Sequence, residues 1–421
     1  CILLALRQEG QALALLGLSG AFLAPLLAGG DGSHLVLFAY IILLDVFILW
    51  ASLRRGWRSL ILAGLFFTVL LGALWADTGY RSELRNDTVA FIVILLAMFS
   101  LAPVLAARRG EGGEMGWQSA TLLFCPPAVA AIVQSQLFRG DTDTLALSSL
   151  LAGLWYAMLW FIARHGTDGR LPRAFAGMAL AFLSLAPFLA FSQNTASVFW
   201  ALEGAGLVWY ARRGNGAMPM AAGILLQALS GIMLLDLWNT GTDGEPFRNG
   251  LFHSSMLLVA AYVFSSIVLK NIALLSRLFL VAALLWWFAA WNSELGNTLD
   301  DSRRLVAILL LASITFFACE WGGRRLAMPD LRAASMLLLP LAAIIPAVIT
   351  IDIGHPLGEG LWLVLPLSFI ALYAILRRHE QAHPDWLIAQ RHVLQLWAIA
   401  WVPAWEAFWL AGQVPGMGSA F

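Results

Sequence analysis

The chain has 421 residues, of which 60% are hydrophobic and 12% charged, and its mean hydropathy is +0.79. Soluble domains carry about 25% charged residues, so this composition excludes an ordinary water-soluble fold and makes the bilayer the solvent for most of the chain. A formal net charge of +0 gives none of the bulk basic character that recruits nucleic acid, and no nucleic-acid partner is expected.

Taken in chain order, the sequence opens on Cys1-Ile2-Leu3-Leu4-Ala5-Leu6, without an initiator Met or a charged leader. Residues 1–10 therefore read as the tail of a preceding span and loop, and the chain as a fragment of a longer protein. A spanning helix needs about 20 largely apolar residues, because hydrocarbon offers the backbone no hydrogen-bond partner. Such runs are predicted near residues 11–29, 34–53, 57–76, 86–106, 117–137, 144–164, 173–191 and 195–211. They continue near 217–238, 250–270, 272–291, 301–321, 331–351, 358–377 and 389–411. The expected fold is all-α, a polytopic transmembrane bundle of about 15 spans built from helical hairpins with short loops, forming one transmembrane domain over residues 1–421.

Orientation follows from Lys and Arg, which resist translocation across the membrane. Nineteen of the 25 cations occupy alternate breaks: Arg7; Arg54, Arg55 and Arg58; Arg108 and Arg109; Arg164, Arg170 and Arg173; Arg212 and Arg213; Lys270 and Arg277; Arg324, Arg325 and Arg332; Arg377, Arg378 and Arg391. The intervening breaks hold six, Arg81, Arg85, Arg139, Arg248, Arg303 and Arg304. Carboxylates lean the opposite way, with thirteen at the cation-poor breaks and seven at the cation-rich ones. The cation-rich breaks are expected in the cytoplasm and the C-terminus outside. They recur at intervals of 48 to 58 residues, the length of one helical hairpin. No break is long enough for a soluble domain, so chemistry is expected at helix ends or within the bundle.

Five carboxylates fall within spans or at their rims: Asp45, Glu203, Asp236, Glu320 and Glu406. An ionisable group at such depth costs about 2.5 to 3.5 kcal/mol on insertion scales and normally faces protein or a wet cavity. Asp45 and Glu203 are the deepest, Glu406 is intermediate, and Asp236 and Glu320 lie near span ends where hydration makes them cheap. Glu203 sits between Ala201 and Ala205, whose spacing of four puts two small residues on one face for close helix approach. Two readings stay open for it: a proton-relay or substrate contact, or a packing carboxyl bonded to Gln134, Gln136, Gln227 or Asn194.

His379-Glu380-Gln381-Ala382-His383 is a literal H-E-x-x-H, the spacing that points two imidazoles at one zinc with a Glu to activate its water. Pro384 follows at once, which argues against a continuing helix to present such a site, and a solvated turn is the favoured reading. Trp397, Trp401, Trp405 and Trp409 recur every four residues along the last span, a stripe suited to packing or to a groove for a lipid-linked substrate. Asp141-Thr142-Asp143 is read as a hairpin tip rather than a divalent-cation site. Prolines within the spans, among them Pro25, Pro103, Pro126, Pro127, Pro187, Pro346, Pro366 and Pro403, each free a backbone carbonyl. Cys1, Cys125 and Cys319 have neither metal nor redox spacing, so no disulfide framework, no metal and no cofactor are expected.

The run from Leu6-Arg7-Gln8 through Ala12-Leu13-Ala14-Leu15-Leu16-Gly17-Leu18-Ser19-Gly20-Ala21-Phe22-Leu23-Ala24-Pro25, with Leu37-Phe38-Ala39-Tyr40 and Arg54-Arg55-Gly56-Trp57, resembles a bacterial family. The segment Trp200-Ala201-Leu202-Glu203-Gly204-Ala205 to Val208-Trp209 resembles that family's second hallmark. The family is the predicted membrane proteins called domain of unknown function 2339. The resemblance implies a very long bacterial inner-membrane protein with a polar, coiled-coil-like segment before the spans, a segment absent from this sequence.

The function these residues favour is a non-enzymatic transporter-like or scaffold bundle of the cell envelope that handles a lipid or glycan-lipid in a groove near Asp45 and Glu203. Its expected partners are membrane lipids and envelope proteins. An integral-membrane glycosyltransferase using outer carboxylates such as Asp31 or Asp77 ranks second, and a zinc protease at His379, Glu380 and His383 third. The orientation has a direct check in intact cells, using a chain whose native cysteines are replaced. A membrane-impermeant maleimide should label Arg248→Cys and spare Arg213→Cys, and the reverse pattern would overturn it.

Overall fold

Each apolar run closes its backbone hydrogen bonds internally, and the computed structural model accordingly shows helices wherever spans are expected. It describes residues 10–28, 33–109, 117–164, 169–240, 245–353, 357–380 and 386–413. Sixteen α-helices and no strand occur among the described residues. They are α1 (Gln11–Ala28), α2 (His34–Arg55), α3 (Arg58–Gly79), α4 (Arg85–Arg108), α5 (Trp117–Leu137), α6 (Thr142–Ala163), α7 (Arg170–Ala190) and α8 (Gln193–Tyr210). There follow α9 (Ala217–Thr240), α10 (Gly250–Val268), α11 (Ala273–Gly296), α12 (Asp301–Leu326), α13 (Pro329–Ser335), α14 (Leu338–Ile353), α15 (Leu361–Glu380) and α16 (Trp386–Gln413). The span expected near 331–351 is a broken one, α13 followed by α14.

Among the described residues, twelve spans are long and apolar enough to cross a membrane by length and composition, the α13–α14 pair counting as one. Three of the fifteen predicted spans are not among these twelve. Of α1 the described part is a shorter apolar helix, Gln11–Pro25, and of α16 several side chains lie outside the description. The third, α8, spends its first turns on Gln193, Asn194, Thr195 and Ser197 before it reaches Glu203.

The helices form two units, Cys1–Ala190 and Phe191–Phe421. In the first, Leu18, Phe22, Ile41, Ile48, Leu60 and Phe99 lie at the centre of a core built by α1 to α5. A second cluster around Tyr156, Leu159 and Phe175 joins α6 and α7 to α4 and α5. In the second unit, Leu234, Leu258, Ala261 and Trp286 gather α8 to α11, and Leu309, Phe316, Leu338 and Leu372 gather α12 to α15.

Same-end breaks are tied together within each unit. Among the cation-rich ends, Arg109 Nη1 donates to Leu53 O at 2.7 Å, Lys270 Nζ to Leu326 O at 3.3 Å and Arg324 Nη2 to Arg378 O at 2.5 Å. At cation-poor ends, His34 Nε2 lies 2.9 Å from Asp87 Oδ2, and Arg303 Nε donates to Glu359 Oε2 at 2.7 Å. Partners in these five pairs are 53 to 56 residues apart, which is the hairpin period read from the cations.

Interhelical approach is closest where α8 crosses α9. A Cβ built on Gly204 would meet Gly223 O at 2.6 Å, and one on Gly223 would meet Gly204 O at the same 2.6 Å. Ala201 and Ala205 are both buried on this face, as their spacing requires. Over-packing such a contact costs about 1 to 3 kcal/mol, so Gly204→Val should lower stability by that amount in a denaturant titration in detergent. Gly206, whose Cβ position is open, should accept Ala without loss.

Candidate functional site

The buried carboxylates separate by what surrounds them. Asp45 on α2 is 0% exposed, and Thr68 on α3 donates its hydroxyl to Asp45 Oδ2 at 2.7 Å. Asp45 Oδ1 has no hydrogen-bond partner among the described residues. Gly64, one turn before Thr68, leaves room for it: a Cβ there would stand 3.2 Å from Oδ1. Ile41, Ile48 and Leu65 are buried in the same core, so Asp45 is sealed in protein rather than facing a groove.

Glu320 departs from expectation. Instead of lying hydrated at a span end, it is 0% exposed, because α12 continues to Leu326 and α13 folds back over that end. Arg324 Nε donates to Oε1 at 2.8 Å, Arg332 Nε from α13 reaches Oε2 at 3.4 Å, and His379 Nε2 from α15 lies 3.0 Å from Oε2. Gly323 permits the fold-back, since a Cβ there would sit 2.6 Å from Arg332 Cγ. One carboxylate thus ties three helices together through paired charges, the condition under which a buried ion is tolerated.

A third buried carboxylate, Glu294, was counted in the sequence among the cation-poor breaks and not among the span residues. It is 3% exposed in the last turns of α11. Asn249 Nδ2 donates to Oε1 and the Phe247 backbone N–H to Oε2, each at 2.7 Å. Phe247 is a non-glycine residue at φ 62°, and the Glu294 contact holds that strained backbone in place. The only sequence signal for this role was a Glu in a Trp-rich turn, Trp291-Asn292-Ser293-Glu294.

The other candidates are less buried. Glu203 is half-buried, and Asp236 is exposed on α9. Gln227, one of the partners considered for Glu203, is 0% exposed and donates to Ala201 O at 3.3 Å and Ser265 Oγ at 2.8 Å. Glu406 is half-buried on α16. In the H-E-x-x-H motif, His379 turns to Glu320 while Glu380 Oε2 lies 3.3 Å from His392 Nε2. His383 lies outside the described residues, and no group of three or more His, Cys, Asp or Glu suited to a metal occurs among those described. All four tryptophans of the stripe fall on α16. Trp405 and Trp409 are half-buried, with Trp405 5.9 Å from Phe408, and the side chains of Trp397 and Trp401 lie outside the description. Asp77 is exposed in the last turn of α3, and Asp31 lies outside the described residues.

A cavity among the described residues lies away from all of these. It measures about 540 Å³ and is lined by α4, α5, α6 and α7 in the first unit. In that unit α5 packs on α4 and α6 on α7, whereas α5 and α6 diverge although only residues 138–141 join them. A hydrogen bond from Ser148 Oγ to Gln134 Oε1 bridges the two legs near their turn. Beyond it the wedge is lined by Pro127 and Ala131 of α5, Leu151, Ala152 and Trp155 of α6, and Leu185 of α7. Polar groups in the lining are mostly engaged: Ser149 Oγ donates to Phe182 O at 2.8 Å, and Trp155 Nε1 to Ser100 Oγ at 2.9 Å.

The lining ends at the turn on Phe138 and Thr144. Arg85 stacks its guanidinium over the Phe138 ring at 5.2 Å, and Asp141 caps α6 by accepting from Thr144 N at 3.1 Å and Thr144 Oγ1 at 2.7 Å. Those Thr144 bonds, with a smaller contribution from the charge of Arg85, hold the Asp141 carboxyl below the usual carboxylate range.

Removing one partner from a buried ion cluster costs about 3 to 5 kcal/mol. Denaturant titration should therefore show a loss of that order for Glu320→Gln and less than about 0.5 kcal/mol for the exposed Asp236→Asn. Equal effects would show that the Glu320 cluster does not hold α12, α13 and α15 together.

No curated protein and no solved structure matches the chain. A family model described as a predicted membrane protein, DUF2339, matches residues 1–420, and the chain belongs to that family.

Proposed function

We propose that this DUF2339 member is a lipid-handling bundle, a transporter-like or scaffold protein of a bacterial inner membrane, which seats a lipid chain in the wedge between α5 and α6. The wedge itself carries the reading. Its volume of about 540 Å³ falls within the range of roughly 300 to 1,000 Å³ typical of small-ligand sites. Its lining is mostly apolar, and Val93, Leu147, Leu151 and Leu185 among the lining residues also expose part of their surface. These helices are long and apolar enough to span a bilayer, so the medium on that side is lipid, and an acyl chain is the ligand at hand. Asp45 and Glu203, beside which the groove was expected, line no part of it. Asp45 instead joins α2 to α3 through Thr68, and the space for a ligand arises where one helix pair parts from the next.

Filling the wedge tests this reading. Lipid retained by the purified full chain, counted by native mass spectrometry, should fall at least about fivefold in Ala152→Trp and Ala131→Trp if the cavity is the binding site. Unchanged retention in both well-folded variants would overturn the proposal.

A further inference from the structure

We propose that the wedge takes a phospholipid, with the lipid phosphate bound by Arg85 at the turn between α5 and α6 and one acyl chain lying along α4 and α6; this rests on the lipid reading above. The placement comes from helix periodicity. Arg85 opens α4, and Val89, Val93 and Leu96 follow it along the same face as lining residues. That face runs inward from the guanidinium for about 16 Å at 1.5 Å per residue. A charged head above and an apolar channel below match the two ends of a phospholipid.

Arg85 is available for the role. It is exposed, its guanidinium meets the face of Phe138 and the field of Asp141, and no hydrogen bond from that guanidinium occurs among the described residues. Phe138 lines the cavity, so stacking on it holds the guanidinium beside the end of the lining at the turn. A planar guanidinium with five donors is the side chain best shaped for phosphate oxygens.

The neighbouring charges constrain which phosphate fits. Arg139, also exposed, spends one donor on Gln136 Oε1 at 2.5 Å and supplies a second cation on the same turn. Asp141 faces Arg85 as an anion, but both its oxygens are committed to Thr144, so it caps α6 instead of closing an ion pair over the guanidinium. Asp143 adds a second anion in the first turn of α6. With cations and anions interleaved, the rim favours a single phosphodiester over a polyanionic head.

The experiment uses the purified full chain in detergent, titrated with phosphatidylethanolamine and, separately, with diacylglycerol of the same acyl composition, and read by native mass spectrometry. Diacylglycerol lacks only the phosphate and its substituent. The wild type should retain the phospholipid about tenfold more strongly, the scale of one charge-assisted contact. Arg85→Gln should bring that ratio close to one, Arg85→Lys should restore part of it, and Ala152→Trp should weaken both lipids together. If Arg85→Gln leaves the ratio unchanged while Ala152→Trp still removes both lipids, the phosphate assignment fails and the chain pocket stands. If Ala152→Trp leaves both lipids bound, the pocket itself fails. Because Arg85 lies exposed at a helix end, melting curves of its variants should match the wild type, and a matched curve ties the change in ratio to binding.

Discussion

Hydrocarbon offers no partner to an unpaired N–H or C=O, and this constraint stands behind every other feature of the chain. It makes each apolar run a helix and confines turns to the ends. It leaves side-chain hydrogen bonds as the principal directional links between helices. Such links are individually modest, averaging about 0.6 kcal/mol in measured membrane cases. Their positions therefore matter more than their number. Here they sit at two depths: backbone carbonyls at helix ends accept from Arg and Lys, while Ser, Thr, Gln and Tyr side chains join helices in the interior. The Tyr262 hydroxyl donating to Gln227 O at 2.9 Å, and the Ser266 and Ser276 hydroxyls each donating to the other's carbonyl, belong to the second kind.

The three buried carboxylates solve the same electrostatic problem in different ways. Glu320 is paired with Arg324 of its own helix and Arg332 of α13 and meets His379 of α15, so it acts as a staple between α12, α13 and α15. Glu294 accepts from an amide and a backbone N–H and so stabilises a loop that contains a positive-φ phenylalanine. Asp45 has a single hydroxyl donor and an oxygen left over, making it the least satisfied of the three. All three belong to the frame that holds the helices. The wedge, by contrast, is a place where the frame is missing: α5 and α6 are adjacent in sequence yet lean on different neighbours.

Much of this architecture is readable from the amino acids, and the reason is physical. An apolar run of about 20 residues has one stable solution in lipid, so the fifteen expected spans coincide with helices even where Gln193, Asn194 and Glu203 lower the hydropathy of α8. Individual burial is less readable because it depends on partners distant in sequence. Glu320 looked hydrated from its position near a span end, and only the return of α13 with Arg332, 12 residues on, and the arrival of His379 cover it. Glu294 was hidden for the same reason, its partners Phe247 and Asn249 lying 47 and 45 residues earlier. The wedge left no mark in the sequence at all, since a four-residue turn normally announces a packed hairpin. In the H-E-x-x-H segment, adjacent residues follow separate neighbours, and spacing along a chain carries no information about that.

The recurrent separation of 53 to 56 residues between bonded helix ends has a consequence for biogenesis. Each such end waits for its partner until one further hairpin has been made, and no longer. At a synthesis rate of about 5 to 20 residues per second this delay is roughly 3 to 11 s. A helix leaving the insertion machinery thus meets its bonding partner soon after its own hairpin closes, and the Arg, Lys and His groups at these ends are satisfied stepwise as the chain lengthens. Assembly can advance as a moving front, in which a fault in one hairpin disturbs the hairpins on either side before it reaches any other.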